Sequence, residues 1–257
     1  MLRRLQAYSN LKFITLDQVD STNAEAKRLV EAGKSGPLWI RADQQNAGKG
    51  RRGREWVSQR GNLYCSGLYP HNGSIQDAAR MSFVAALAVA DCLEAYIPAH
   101  KIKLKWPNDV LIDGQKSSGI LLEGGEGWFV VGIGINLMSN PKGTEFPATH
   151  LMDHIDPLDL NQPEPIMSGA AAVLASLVSN FDKWRAKALK EGFEAISMAW
   201  VSRAYNVPGH VNVRLPKEEF SGEAIGLDEN GALRVRLENG TIRHVHAGDV
   251  FFGNTGA

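Results

Sequence analysis

Residues 104–125, LKWPNDVLIDGQKSSGILLEGG, predict two β-strands joined by a turn at Asp113-Gly114. The apolar stretch WFVVGIGINL at 128–137 follows closely and is typical of a buried strand. Strands that succeed one another in this way pair as hairpins, whereas a doubly wound sheet needs a helix between its parallel strands. This stretch therefore favours an α+β fold over a doubly wound one.

The flanking segments predict further regular elements. Residues 21–33 have the pattern of a helix, with a capping box at Thr22 and Glu25 and a terminating Gly33. We also expect strands at 38–42 and 62–69, a loop at 46–61, a buried helix at 81–96, an irregular proline-rich stretch at 141–165, and a helix at 166–200 with Phe181, Trp184, Phe193 and Trp200 in the core.

The sequence pattern changes after Pro208. Residues 211–215, VNVRL, and 233–237, LRVRL, alternate between apolar and polar side chains, as half-buried strands do. Asn230-Gly231 and Asn239-Gly240 are strong signals for hairpin turns. We therefore expect a small all-β domain at 209–257 after a larger domain at 1–208.

Composition limits the class of protein. The 257 residues are 44% apolar, and 28 basic residues balance 28 acidic ones, which argues against a general binder of nucleic acid or membrane surfaces. Cys65 and Cys92 form no CxxC pair, and the first residues have no apolar run that predicts a signal peptide. A reducing, cytoplasmic location without a membrane span is expected.

The most distinctive local feature is the loop Gly48-Lys49-Gly50-Arg51-Arg52-Gly53-Arg54, in which four of seven residues are basic. Its glycines spell G-x-G-x-x-G, but no helix is predicted at 54–62 to hold a dinucleotide. It also misses the P-loop pattern at Arg54 and Glu55. A solvated loop or a contact to nucleic-acid backbone is the simpler interpretation. Glycine permits close backbone approach and arginine binds phosphate or carboxylate through two N–H groups, so we favour an anion clamp.

This loop resembles the G-R-G-R-R-G signature of biotin–protein ligases, with Lys49 where the first arginine stands. Other segments are similar to motifs of the same family and occur in the same order. They are Asp20-Ser21-Thr22-Asn23, Gln45, Lys105-Trp106-Pro107-Asn108-Asp109, Lys116-Ser117-Ser118-Gly119-Ile120-Leu121-Leu122-Glu123 and Gly132-Ile133-Gly134-Ile135-Asn136. The likeness covers residues 15–250 approximately.

The resemblance implies a fold and an activity. The fold would be a class II synthetase-like core, with a mixed or antiparallel sheet packed with helices, followed by a small SH3-like barrel. The activity would be formation of biotinyl-5′-AMP from biotin and ATP with Mg²⁺, then transfer of biotin to a lysine of a biotin carboxyl carrier domain, such as that of acetyl-CoA carboxylase. The chain would act as a monomer or homodimer, without nucleic acid or membrane.

The resemblance also implies roles for individual residues. Lys116 and Arg51 would be catalytic, because a carboxylate and the α-phosphate of ATP are both anionic and must meet beside a fixed cation. Taken alone, Ser21 to Asn23 could cap a helix, Trp56 could belong to the core, and Lys116 could be solvated. The implied biotin contacts are Ser21, Thr22, Asn23, Gln45, Lys49, Gly50, Arg51 and Lys116. The implied ATP and adenylate contacts are Arg54, Trp56, Asn108, Asp109, Gly132, Gly134 and Asn136.

Three alternatives stay open at this point. A lipoate or octanoate ligase shares the fold, although Ser21-Thr22-Asn23 and Gln45 suit the ureido group of biotin better. A ligase that is also a repressor would place a helix-turn-helix before the core, and only about 15 residues precede the first motif. A binding module without chemistry is the third. No metal site is expected, because His150 and His154 lack the H-E-x-x-H pattern.

Overall fold

The computed structural model describes residues 11–156 and 169–252; our expectations for the first ten residues and for Pro157, Pro163 and Pro165 lie outside this part. The helices are α1 (Thr22–Glu31), α2 (Ile75–Leu93) and α3 (Ala170–Val201). The strands are β1 (Lys12–Val19), β2 (Leu38–Gln45), β3 (Leu63–Pro70), β4 (Ile102–Lys105), β5 (Asp109–Ile112), β6 (Gln115–Gly125), β7 (Trp128–Ile135), β8 (Gly209–Arg214), β9 (Glu219–Leu227), β10 (Leu233–Arg236), β11 (Ile242–Val245) and β12 (Asp249–Phe252).

The first seven strands form one sheet in the order β1-β2-β3-β7-β6-β5-β4. β1 and β2 are parallel, and every other neighbouring pair is antiparallel. The predicted turn between β5 and β6 has positive φ at both Asp113 (48°) and Gly114 (77°), which is the geometry of a type I′ hairpin. The α+β class and the mixed sheet are confirmed.

The helices cover the two faces of this sheet unequally. α2 and α3 pack on each other and on one face, where Trp39, Phe181 and Trp200 are almost fully buried. α1 lies on the opposite face and packs Ala26 against residues of β2, β3 and β7. Because side chains alternate along a strand, Gly132 and Gly134 of β7 face this second side. The part over β6 and β7 that α1 leaves uncovered is where the cleft described below is found.

The last five strands form a separate antiparallel sheet in the order β11-β10-β9-β8-β12, as expected for an SH3-like barrel. Gly231 and Gly240 have positive φ in the β9–β10 and β10–β11 turns, so both predicted hairpins are formed. The Gly231 carbonyl accepts a 3.0 Å hydrogen bond from the Trp106 indole N–H, which ties this sheet to the larger one. The division at residue 208 stays a prediction.

Some local predictions differ from the structure. The predicted capping box of α1 is wrong: Ser21 is the N-cap residue, and the Thr22 hydroxyl lies 3.1 Å from Gln45 Oε1 instead. Gly33 does terminate α1, with its N–H bonded to the Val30 carbonyl. α2 begins at residue 75 rather than 81, after a capping box between Ser74 and Asp77. β1 was not predicted, and the first of the two strands predicted within 104–125 is two strands in the structure, β4 and β5.

Candidate active site

A cleft of about 290 Å³ opens over β6 and β7. Its walls come from the loop at 48–56, the segment at 105–109, the segment at 141–148 and the start of β12. The cleft brings together every residue for which a binding or catalytic role was predicted. These are Ser21, Thr22, Asn23, Gln45, Lys49, Gly50, Arg51, Arg54, Trp56, Asn108, Asp109, Lys116, Gly132, Gly134 and Asn136.

Two glycines form the floor of the cleft. Gly119 of β6 and Gly134 of β7 are register partners, and the indole of Trp56 lies over both. A Cβ at Gly134 would lie 2.5 Å from the indole, and one at Gly119 would lie 2.7 Å from it. These positions must therefore be glycine while Trp56 occupies the cleft. The indole N–H is buried and has no hydrogen-bond partner among the described residues.

A buried polar cluster lies at the α1 end of the cleft. Gln45 Oε1 accepts from the Thr22 backbone N–H at 2.8 Å, and its Nε2 donates to Ser58. Asn23 Nδ2 donates to Glu123 at 2.8 Å, while its Oδ1 lies 2.6 Å from Ser66 Oγ. A Cβ at Gly132 would collide with Asn23. The need for glycine at this position therefore comes from a neighbouring side chain and not from a ligand.

Ser66 was not predicted as part of this cluster. Its hydroxyl is fully buried and lies within hydrogen-bond distance of both Thr22 Oγ1 and Asn23 Oδ1. A single hydroxyl proton can serve only one of these acceptors at a time. The sequence did contain a signal, since a serine interrupts the apolar strand at 62–69, and buried polar residues are usually hydrogen-bonded.

The basic loop is a short hairpin rather than a dinucleotide-binding turn. The Trp56 N–H donates to the Gly48 carbonyl, and the Gly50 N–H donates to the Arg54 carbonyl. Only a single 3-10 turn at Arg51–Gly53 lies between them, with Arg52 at φ 57°. No helix opens at the last glycine, so neither the Rossmann nor the P-loop interpretation fits the structure.

The arginines of this loop have different partners. Arg52 and Arg54 both contact the Asp249 carboxylate of β12, at 3.1 and 2.7 Å, so the small sheet holds the loop. Arg51 turns into the cleft, where its Nη1 lies 3.4 Å from Asn108 Oδ1. Burial and the neighbouring Arg52 lower the pKa of Arg51, which nevertheless stays charged at neutral pH. The role of Asp249 could not be predicted, because it lies far along the chain.

Lys116 reaches the cleft because of a β-bulge. The register of β5 and β6 shifts so that Val110 pairs with Ser118 while Leu111 pairs with Lys116. Regular alternation would direct residue 116 and Gly119 to opposite faces, and the extra residue brings them to the same one. The Lys116 ammonium then lies 2.7 Å from the Asp109 carboxylate and 5.5 Å from the Trp56 ring centre.

Lys105 is a further cation in the cleft, and no role was predicted for it. The residue is 9% exposed, and its ammonium lies 3.5 Å from the centre of the Phe146 ring. Burial lowers the pKa of Lys105 to about 8, although Asp109 opposes this effect. With Arg51 and Lys116, it gives the cleft a local excess of positive charge that favours an anionic ligand.

Asn136 is buried and also touches the cleft. Its side-chain Nδ2 donates to the Thr149 carbonyl at 3.0 Å, so this amide braces the segment that follows Phe146. Its predicted contact with a nucleotide stays a prediction. Within residues 11–156 and 169–252, His, Cys, Asp and Glu form no group of three that could hold a metal ion, and no helix is long and apolar enough to cross a membrane.

Comparison with known proteins identifies the family. The model of the biotin/lipoate A/B protein ligase family matches residues 15–140, and the biotin protein ligase C-terminal domain matches residues 210–253. A biotin–[acetyl-CoA-carboxylase] ligase from Paracoccus denitrificans is 39% identical over 93% of this chain and 99% of its own length. The chain belongs to the biotin protein ligase family. This confirms the resemblance that the motifs indicated.

Two further members of the biotin protein ligase family are similar along most of the chain. A bifunctional ligase/repressor from Bacillus spizizenii is 30% identical over 92% of this chain and 73% of its own length. The solved biotin protein ligase from Aquifex aeolicus in complex with biotin and ATP has a TM-score of 0.75 and 28% identity, covering 94% of this chain and 98% of that one. The fold and both sheets are thus those of the family.

Proposed function

We propose that this chain activates biotin with ATP to biotinyl-5′-AMP and transfers the biotinyl group to a lysine of a biotin carboxyl carrier domain. The observation that supports this most is the arrangement of one cleft, with a buried polar cluster at one end and, at the other, buried Lys105 beside half-buried Arg51 and Lys116. The curated and solved relatives named above act on or bind the same small molecules. These relatives support biotin as the acid and ATP as the nucleotide.

The polar cluster suits the ureido ring of biotin. This ring has one carbonyl acceptor and two N–H donors, and Thr22, Asn23 and Gln45 offer hydroxyl and amide groups of both kinds. Asn136 follows β7 directly and lies four positions after Gly132, which is beneath Asn23; this corresponds to about 13 Å of extended chain. A bicyclic ring with a five-carbon acid side chain can span this passage, placing its carboxylate near Lys116.

A lipoate or octanoate ligase is the second candidate, since the matching family model includes lipoate ligases. These acids have no group that would pair with several buried amide and hydroxyl groups. A ligand that leaves such groups unpaired binds less tightly, because each unsatisfied buried polar group costs about 1–3 kcal/mol. The polar cluster therefore favours biotin.

The cationic end suits the phosphates of ATP. Arg51, Lys105 and Lys116 line this end, and the Asp109 carboxylate is an oxygen donor of the kind that Mg²⁺ prefers. We infer that Asn108 and Asp109 face the Mg²⁺–ATP side. When bound, the metal ion would neutralise charge on the pyrophosphate.

In the first reaction a biotin carboxylate oxygen attacks the α-phosphorus, and the bond to the pyrophosphate oxygen breaks. We propose that Lys116 and Arg51 hold the two anionic groups together and stabilise the added charge of the transition state. In the second reaction the carrier lysine amine attacks the acyl carbon, AMP leaves with its phosphate oxygen, and the amine releases one proton. The free, buried thiols of Cys65 and Cys92 fit the reducing conditions of the cytoplasm, where we place this chemistry.

ATP–pyrophosphate exchange tests the proposal. The wild-type protein with Mg²⁺–ATP should exchange label in the presence of biotin and much less with lipoate or octanoate at equal concentration. Thr22→Val should raise the KM for biotin and leave the weak response to octanoate unchanged, because it removes a hydroxyl and keeps the shape. Exchange with lipoate or octanoate but not with biotin would contradict the proposal.

A further inference from the structure

Beside the cleft, three side chains form a hydrogen-bonded chain. The His154 imidazole lies between Thr149 Oγ1, 2.8 Å from its Nε2, and the Asp113 carboxylate, 3.1 Å from its Nδ1. A carboxylate only accepts, so Nδ1 donates to Asp113 and, in the neutral ring, Nε2 accepts from the Thr149 hydroxyl. The side chain of His154 is 12% exposed, and Thr149 is buried.

This order of hydroxyl, imidazole and carboxylate resembles a hydrolytic triad, but its surroundings differ. Thr149 is 5% exposed and does not line the cleft. Its backbone N–H donates to the Lys116 carbonyl, and its own carbonyl accepts from Asn136. A nucleophile needs room for a substrate, and Thr149 has none. The three side chains are better explained by what they hold.

They hold the bulge that carries Lys116. The extra residue of the bulge is Ser117; Lys116 keeps Leu111 as its partner on β5, and its backbone also bonds to the segment after Phe146. The Lys116 N–H donates to the Pro147 carbonyl at 2.8 Å, and the Thr149 N–H donates to the Lys116 carbonyl at 2.9 Å. The direction of the Lys116 side chain thus depends on where Thr149 lies.

His154 closes this arrangement into a ring. Asp113 begins the turn that leads into β6, three residues before Lys116. Starting at Asp113, the contacts run along the chain to Lys116, across to Thr149, through its hydroxyl to His154 and back to Asp113. The segment 113–116, called the Lys116 arm below, is therefore fixed to the His154 imidazole at both ends: directly at Asp113, and through Thr149 at Lys116.

We propose that His154 is a positioning residue for adenylation, which acts through Thr149 and Asp113 to aim Lys116 into the cleft. The proposal rests on the function proposed above. It predicts that losing the bridge leaves the fold intact but allows the Lys116 arm to move. A misplacement of about 1 Å in a reacting group can slow a reaction by about 100-fold. We expect His154→Leu and Thr149→Val each to slow single-turnover formation of biotinyl-AMP by roughly 10- to 100-fold.

The conservative variants and a control separate positioning from general destabilisation. Thr149→Ser keeps the hydroxyl and should retain most of the rate, whereas Thr149→Val keeps the shape and should lose it. His154→Asn retains a donor toward Asp113 and serves as a second variant if His154→Leu folds poorly. His100→Ala changes an exposed histidine away from the cleft and should have no effect.

Two measurements decide the proposal. Hydrogen exchange in the ligand-free protein should show loss of protection at the Lys116 and Thr149 amides in His154→Leu. In a Lys116→Ala background, His154→Leu should slow adenylation by less than about threefold, because the residue that it positions is gone. The role of His154 would be overturned if the effects of His154→Leu and Lys116→Ala on the adenylation rate were fully additive, or if a well-folded His154→Leu protein adenylated at the normal rate. Failure of the wild-type protein to form biotinyl-AMP would overturn the proposed function instead, and the exchange data would still test the ring.

Discussion

The Lys116 ammonium lies 2.7 Å from the Asp109 carboxylate of the neighbouring strand. The side chain of Asp109 is 13% exposed and that of Lys116 is 27% exposed, so water screens this pair only in part. An incoming carboxylate or phosphate must share the ammonium with Asp109. The pair therefore holds Lys116 at the cleft before any substrate binds, which lowers the cost of organising the site during the reaction.

Replacement of Lys116 should affect chemistry more than folding. A preorganised contact to the transition state is worth about 3–4 kcal/mol and a charge-assisted hydrogen bond about 1.5–3. Lys116→Ala should therefore slow biotinyl-AMP formation by roughly 10- to 1,000-fold in a single-turnover assay. Lys116→Arg should rescue only in part, since a planar guanidinium does not fit a point-charge position. Lys103→Ala, which lies outside the cleft, is the matched control. Wild-type adenylation by a folded Lys116→Ala protein would assign the role to another cation.

Removal of Arg51 should weaken retention of the intermediate. Arg51 is the loop arginine that faces Asn108 inside the cleft, while Arg52 and Arg54 face Asp249. Arg51→Gly should release biotinyl-AMP, which would then acylate nearby amines indiscriminately. The measurement is the amount of free biotinyl-AMP and of biotin on a bystander protein. Equal release by the variant and by wild type would show that Arg51 does not retain the intermediate.

The basic loop should gain order when ligands bind. Its cations repel one another, and biotin with ATP would supply the anions that offset this repulsion. Protection of the Gly50 and Trp56 amides, which close the loop hairpin, should rise when both ligands are added. Asp249→Asn should lower this protection in the ligand-free protein while changing the free energy of unfolding by less than about 1 kcal/mol. Identical exchange with and without ligands would count against an ordering clamp.

The buried charge of Lys105 should lower the free energy of unfolding at neutral pH. Its pKa in the folded protein is about 8, below the ordinary value of about 10.5. Below pH 8 the folded protein carries the buried charge of Lys105. Between pH 8 and about 10.5 the unfolded chain binds more protons at this lysine than the folded protein does, so the free energy of unfolding rises with pH through this range. Lys105→Met should therefore raise the urea midpoint at pH 7, and this gain should shrink toward pH 10.

The same variant should lose activity, because Lys105 contributes to the positive charge of the cleft. A variant that is more stable but binds ATP less tightly is typical of the replacement of a residue that serves function at the expense of stability. Urea unfolding at pH 7 and pH 9.5, with the KM for ATP measured in parallel, tests both parts. Lower stability of Lys105→Met at pH 7 would show that its contacts with Phe146 and Asp109 outweigh the burial of its charge.

Turns and helix ends that depend only on residues adjacent in the sequence were predicted well. The turn at Asp113-Gly114 and the end of α1 at Gly33 follow from backbone conformations that few other residues adopt. The start of α1 was predicted less well, because the Thr22 hydroxyl is drawn to Gln45 and Ser66, which no local pattern reveals. β1 was missed because most of its residues are exposed at the sheet edge, so its apolar alternation is weak.

The motifs named side chains that the structure brings together at one cleft, but they did not reveal what surrounds those side chains. Asp249 meets Arg54 only because the second sheet folds back onto the loop, and Phe146 meets Lys105 through a segment without regular structure. The bulge that turns Lys116 into the cleft depends on hydrogen bonds to Pro147 and Thr149. These contacts join distant parts of the chain and leave no periodic signal in the sequence.

The glycine floor also indicates how the selectivity of this protein could be redesigned. While the Trp56 indole lies over Gly119 and Gly134, neither glycine can accept a methyl group. The converse also holds, since a smaller residue at 56 would leave space for alanine at 134. Paired substitutions such as Trp56→Leu with Gly134→Ala would exchange volume between the roof and the floor of the passage. Such a pair offers a starting point for an orthogonal enzyme that accepts an acid of altered shape and discriminates against the natural one.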